Sequence, residues 1–328
     1  MTYPSRMSAI ALIAATICPL ARSQSLSRAF NPRLGALAPE TTVSTEVLCD
    51  EAVADQHTDL SFARYRLDAL VPLAQSADAE TALTSTVEIM DLATRARLLD
   101  ARAPLPDHLY DVSLGGFHRR RLDNDWIAGL LLSVGSASDK PFDSRHETSL
   151  SATATLQLPI DEHNSHLFFL NYAGNREWLP HVPIPGYAWS HRPSRDFNLL
   201  LGLPMSAVTW RPADKWLLEA RYFVPRTVHA AVNYELTDDL VLYTGFDWRN
   251  DRWLRAERSD HDDRLFYYEK KVAAGVRLNL WHNLSLDLHA GYGFDRFFFE
   301  GEDYDDRSDS RISLSDGLFV GARAGLQF

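Results

Sequence analysis

Strict alternation of apolar and polar side chains limits what this chain can fold into more than any other feature. It is clearest in SLSATATLQLPI, residues 149–160, where Leu150, Ala152, Ala154, Leu156 and Leu158 alternate with Ser151, Thr153, Thr155 and Gln157. A β-strand sends successive side chains to opposite faces, so a period of two gives one apolar and one polar face, whereas a helix would mix them. The pattern recurs in KWLLEARYFV (215–224), TVHAAVNYEL (227–236), DLVLYTGFDW (239–248) and NLSLDLHAGYGF (283–294). The patterned part of the chain is therefore all-β.

Two architectures use such strands: a soluble sandwich with its apolar faces inside, and a membrane barrel with its apolar face outside. Connection lengths separate them. Very short connections (281–283, 237–239, 211–214, 161–164) alternate with longer polar ones (about 299–314, 250–263, 175–196, 138–148). That asymmetry fits tight turns at one rim of a barrel and loops at the other. Runs such as 264–280 and 284–298 exceed ordinary soluble strands but suit tilted membrane-crossing ones. Trp210, Trp216, Tyr222, Trp248, Tyr268, Trp281 and Phe294 stand near strand ends, where interfacial girdles sit. The fold expected is a transmembrane antiparallel up-and-down β-barrel.

Thirteen runs qualify as strands: about 60–73, 80–92, 109–120, 125–137, 149–160, 165–174, 197–210, 215–224, 227–236, 239–249, 264–280, 284–298 and 315–328. Single-chain bacterial barrels have an even number, which predicts twelve or fourteen strands. TTVSTEVLCD, 41–50, is the candidate for the additional first strand, and Gly202–Pro204 marks a bulge or break inside one run, because Pro removes a ladder donor.

At the start of the chain, Arg6 precedes an apolar run, Met7 to Leu20, too short to span a bilayer as a helix, and Ala21 and Ser23 are small residues at a signal-peptidase spacing. This predicts a cleavable signal peptide over 1–23, a flexible periplasmic tail over 24–40 with Pro32 and Pro39, and a barrel over 41–328. Cleavage leaves Cys49 as the sole cysteine, with no intramolecular disulfide and no cysteine metal cluster. It also leaves 31 of 33 basic side chains against 44 acidic ones, a net charge of −13 that argues against nucleic acid as a partner.

The last segment, GLFVGARAGLQF, places Leu318, Val320, Ala322, Ala324, Leu326 and Phe328 on one face and Arg323 and Gln327 on the other. With these residues the chain resembles bacterial outer-membrane β-barrel proteins. The resemblance implies residence in the outer membrane among its lipid and lipopolysaccharide, and implies that Phe328 serves as the assembly signal for the barrel-assembly machinery. LLLGLPMSAVTWRPADKWLLEARYFVP and LDLHAGYGFDRFFFE look like the uncharacterised DUF6268 family of outer-membrane barrels. Those motifs describe strands and turns and imply no reaction.

Function is read from the polar faces. If the apolar faces meet lipid, Glu219, Arg221, His229, Glu235, Asp247, Arg249, Glu269, Lys271, Arg277, Asp287, His289, Asp295 and Arg323 line the lumen. Such charges must pair across it or touch water. The expectation is a narrow, porin-like lumen for small hydrophilic solutes. The alternatives are a structural or surface-interaction barrel that does not conduct and, further off, a lipid-acting hydrolase. No cofactor, metal site or catalytic constellation is read from the sequence. The acidic stretches SDHDDR (259–264) and EGEDYDDRSDSR (300–311) match no calcium loop, and HETSLS (146–151) is a lone juxtaposition of His, acid and Ser.

Overall fold

The computed structural model describes residues 34–98, 103–176, 179–281, 283–308 and 311–328. The expected signal peptide, 1–23, and residues 24–33 of the expected tail lie outside the described residues. The strands are β1 (Glu40–Ala52), β2 (Asp59–Gln75), β3 (Ala79–Thr94), β4 (His108–Arg121), β5 (Ile127–Ser138), β6 (Thr148–Pro159), β7 (Asn164–Ala173), β8 (Ile184–His191), β9 (Phe197–Leu203), β10 (Met205–Ala213), β11 (Trp216–Phe223), β12 (Thr227–Glu235), β13 (Leu240–Trp253), β14 (Arg264–Trp281), β15 (Leu284–Gly301), β16 (Ile312–Leu314) and β17 (Gly317–Gln327). From β1 to β16 each pairs antiparallel with the next, and β17 closes on β1 from Glu40↔Gln327 to Leu48↔Phe319. The short β16 and the long β17 both pair with β15, so they occupy one position. The result is a closed ring of sixteen positions.

Sixteen replaces the twelve or fourteen read from the sequence, for three local reasons. TTVSTEVLCD is indeed part of the first strand, β1. The run 197–210 is two strands: the chain reverses at Pro204, and β9 pairs with β10 (Ala207↔Leu200 to Trp210↔Phe197). A residue without an N–H ends the ladder there and a turn replaces the break. The segment 175–196, expected to be one loop, contains β8. Its Pro185 is the second residue of the strand, where a missing donor is tolerated. Its Gly186 is a packing glycine, because the Phe169 ring fills the space where a Cβ would stand, 2.1 Å away.

Seven connections of two to five residues, together with the start of β1 and the end of β17, lie at one end of the ring, called here the turn end. At the opposite, loop end, six of eight connections run six to thirteen residues; the other two are Pro204 alone and residues 224–226. Strands β8 to β12 have only seven to nine residues, against sixteen to eighteen in β2, β3, β14 and β15, so the wall is low on one side.

The tall side does not stand free. Leu254 N–H donates to the Ala137 carbonyl at 2.7 Å and Ala256 N–H to Asp139 Oδ1 at 2.8 Å, joining the top of β13 to the end of β5, half-way round the ring. The upper part of β13–β15 therefore folds across the mouth. Beneath it lies an apolar core formed by Leu48, Leu60, Phe62, Met90, Leu92, Leu109, Trp253, Leu265, Tyr267, Phe298 and Phe319. A ring of sixteen strands is too wide for ordinary inward side chains to fill. The infolded strands supply the missing volume and bury roughly 25 cal/mol for each Å² of apolar surface they cover.

The face of this hairpin turned away from that core carries Phe266, Tyr268, Phe297 and Phe299, packed against Trp248 and against Tyr304 of the 3-10 turn Tyr304–Ser308. Trp248 and Tyr268, expected in an interfacial girdle, are part of this cluster. At the turn end the segment before β1 lies against the inner wall: Gly35 N–H donates to Glu80 Oε2 at 2.9 Å and Leu37 N–H to Gln75 Oε1 at 3.0 Å. Gly35 has φ +74° and lies so close to the Ser76 carbonyl that a Cβ would collide with it.

Candidate functional site

Alternation decides which side chains meet inside. In β2 the inward positions are Phe62, Arg64, Arg66, Asp68 and Leu70, while Tyr65, Leu67 and Val71 are exposed on the outside. The charges inside are paired. Arg64 bridges Glu88 at 3.2 Å and Asp251 at 2.7 Å, Arg249 reaches Asp251 at 3.3 Å, and Arg66 binds both Asp68 (2.7 Å) and Glu88 (2.5 Å). Lys271 pairs with Glu46 and lies 3.9 Å from Glu269, which accepts a hydrogen bond from the Tyr267 hydroxyl at 3.1 Å. Two groups of paired charges, one on β2, β3 and β13 and the other on β1 and β14, thus stand side by side, with the Arg64 guanidinium 5.9 Å from the centre of the Tyr267 ring.

The other residues read from the sequence form smaller groups. His229 Nδ1 lies 2.8 Å from Asp247 Oδ1. Asp287 is held by Arg277 at 3.4 Å, by His289 at 3.0 Å and by the Tyr243 hydroxyl at 2.7 Å, and faces Arg323 in the β15–β17 register. Glu235 pairs with Arg211 at 2.9 Å near the turn end. Glu219 accepts from Asn233 Nδ2 at 3.4 Å, and Arg221 stands opposite His229 in the β11–β12 register. Asp295 stands apart. The β14–β15 register slips between Tyr268 and Lys270, and Asp295, at φ 49°, sits in that bulge. The extra residue turns its side chain to the opposite face, where it meets Lys270 at 2.7 Å. Arg296 takes the inward place instead, near Glu51.

Sequence reasoning missed Glu46, Arg64, Arg66, Asp68, Glu88 and Asp251. The signal was present: in FARYRLDAL (62–70) the charges fall on every second residue, Arg64, Arg66 and Asp68, between Tyr65 and Leu67.

A cavity of about 360 Å³ lies inside the ring beside these charges. Glu40 and Thr42 line it near the turn end, Asp68, Asp111, Thr153 and Asn171 farther along, and Asn175, Arg176, Arg226 and Arg252 near the loop end. Over the mouth, loop 139–147 meets loop 254–263. Arg258 pairs with Glu147 at 2.9 Å and donates to the His146 carbonyl at 3.0 Å, Lys140 pairs with Glu257 at 2.6 Å, and the His146 and His261 rings stack 3.9 Å apart. Desolvation, then the His261 ring and Arg145, push His146 below the ordinary histidine value. Burial would raise Glu147, but the Ser144 hydroxyl and the Arg258 guanidinium outweigh it and hold the carboxyl below its ordinary value.

No family model matches the chain, and no curated protein matches it in sequence. Solved structures do resemble it in outline. An outer membrane channel from Pseudomonas putida F1 is 11% identical over 89% of this chain and 95% of its own, with a TM-score of 0.37. The toluene transporter TodX of Pseudomonas putida is 8% identical over 89% and 90%, with a TM-score of 0.40. The translocator domain of the autotransporter NalP from Neisseria meningitidis is 9% identical over 94% and 93%, with a TM-score of 0.34. Likenesses of this strength concern fold, not function.

The outer wall decides where the molecule resides. Leu67, Leu83, Leu114, Leu132, Leu150, Leu170, Leu201, Val272, Leu288 and Val320 stand exposed around the ring, with Trp210, Trp216, Trp281 and Phe328 toward the turn end. Water would not tolerate so broad an apolar belt, and a closed sheet leaves no unpaired backbone to lipid. The molecule is a bacterial outer-membrane β-barrel. Its turn end, which holds the start of β1 and the end of β17, is periplasmic, and its loop end faces outward.

Proposed function

We propose that this barrel is a narrow, gated channel for small hydrophilic solutes. The observation that carries the reading is the cavity, whose lining mixes charged and polar side chains with apolar ones such as Leu70, Phe117, Leu131 and Phe169 and extends from Glu40 at the periplasmic start of β1 to Arg226 in the outer turn between β11 and β12. The charges beside it pair in both signs, so the passage has a mixed lining and little overall ion selectivity. The infolded β13–β15 segment and the loops joined by Arg258 and Glu147 narrow a sixteen-stranded barrel well below an open porin. The same closure favours a second reading, a barrel that does not conduct and serves a structural or surface role. The motifs resembling the DUF6268 family fit either reading. Liposome swelling separates them: vesicles carrying the folded protein should swell in isotonic small sugars and amino acids but not in a large oligosaccharide. Vesicles indistinguishable from protein-free ones in every solute would overturn the channel reading.

A further inference from the structure

Two neighbouring side chains at the outer end of the cavity have chemistry that the barrel itself does not satisfy. Asn175 is 5% exposed, yet neither its Nδ2 nor its Oδ1 has a hydrogen-bond partner. Its backbone is pinned, since its carbonyl accepts from Arg252 Nε at 2.8 Å, while the donor and the acceptor of the side-chain amide are both unused. A buried amide left this way costs on the order of 1–3 kcal/mol unless something fills it. Next to it, Arg176 donates to the carbonyls of Val182 (3.1 Å) and Asn171 (2.9 Å) and to Asn171 Oδ1 (2.6 Å). These partners are all neutral. They fix the guanidinium plane but leave its charge uncompensated and its Nε–H available. Both residues line the cavity.

We propose that Asn175 and Arg176 form a binding site for a small hydroxylated carboxylate entering from outside. The carboxylate supplies the negative charge that Arg176 lacks and an acceptor for Asn175 Nδ2, and a hydroxyl of the same solute donates to Asn175 Oδ1. A neutral polyol satisfies only the amide, and a cation is repelled by the guanidinium. The network of Arg64, Arg66, Glu88 and Asp251 is not such a site, because each of its charges already has an opposite partner. The inference deepens the channel reading by naming a solute class, and it rests on that reading only for the direction of entry.

The test is calorimetric titration of the full chain, folded in detergent, with gluconate, with sorbitol as its uncharged counterpart and with glucosamine as a cation. Gluconate should bind at least about tenfold more tightly than either, since one charge-assisted hydrogen bond is worth that much. Arg176→Gln and Asn175→Leu should each weaken gluconate about tenfold, while Arg176→Lys, which keeps the charge, loses less. If Arg176→Gln does not migrate as a folded barrel, Asn175→Leu decides. No heat with gluconate, equal affinity for sorbitol or glucosamine, or undiminished binding in the folded variants would overturn the site. Gluconate binding in a barrel that passes no solute would leave the site standing and remove only the channel.

Discussion

Asp251 accepts from two arginines on different strands, Arg64 at 2.7 Å and Arg249 at 3.3 Å, and through Arg64 it is joined to Glu88 and Arg66. A buried network of this kind contributes little net stability while intact, because desolvation offsets the attraction, but removing one member leaves its partners charged and unmatched. Asp251→Asn should therefore destabilise the barrel by about 3 kcal/mol, read from the urea midpoint of refolding in detergent. Asp295→Asn, which touches Lys270 outside the lumen, should change it by less than about 1 kcal/mol. Equal effects of the two substitutions would contradict the placement of Asp295 on the opposite face.

At the scale of elements, two loops close the mouth, and their contact depends on pH. His146 has a depressed value in the folded state, so the unfolded chain binds more protons than the folded one as pH falls. The contribution of His146 is complete above the ordinary histidine value of about 6.5 and is lost as pH falls from there toward its lower folded one. Glu147 is also depressed, and its contribution persists until pH falls below the ordinary carboxylate value, toward its lower folded one. Tryptic cleavage after Arg258 should accordingly accelerate in a first step between about pH 7 and 5.5, read with a protease control across the same range. That step should shrink in His261→Ala, while Glu147→Gln should raise cleavage at neutral pH. An identical pH profile in His261→Ala would refute the role given to the stack.

Elements also show why part of the fold was legible in the sequence. Strands β6, β11, β12 and β15 follow plain alternation, because one face meets lipid and the other a polar lumen, and period two alone finds them. β8 and β9 were concealed by Pro185, Gly186 and Pro204, which serve as a strand start, a seat for Phe169 and a reversal. Local sequence does not distinguish these roles from a loop. The bulge at Asp295 likewise inverts the face of everything beyond it, so Phe297 and Phe299 lie where extrapolated alternation would not put them. The infolded mouth depends on contacts between opposite sides of the ring, such as Leu254 with Ala137, and no local pattern reports such a contact. Asn175 and Arg176 were unreadable for the same reason: their unmatched chemistry appears only once the surrounding partners are known.

For the whole molecule, insertion and closure depend on the last strand. Phe328 is 69% exposed at the periplasmic edge of the lipid-facing belt, with its N–H bonded to the Pro39 carbonyl at 3.0 Å where the ring closes. Phe328→Asp puts a charge at that interface, and outer-membrane levels should fall several-fold in fractionated cells. Normal levels would contradict the lipid-facing orientation given to β17. The central claim, a passage of mixed polar and apolar lining narrowed by an infolded mouth, is tested most directly by planar-bilayer recording of the folded barrel before and after deletion of residues 255–262. The account predicts discrete conductance in the wild-type barrel, smaller than that of an open sixteen-stranded porin, and a larger, less gated conductance once the crossing loop is gone. Silence from both proteins, each folded and inserted, would contradict it.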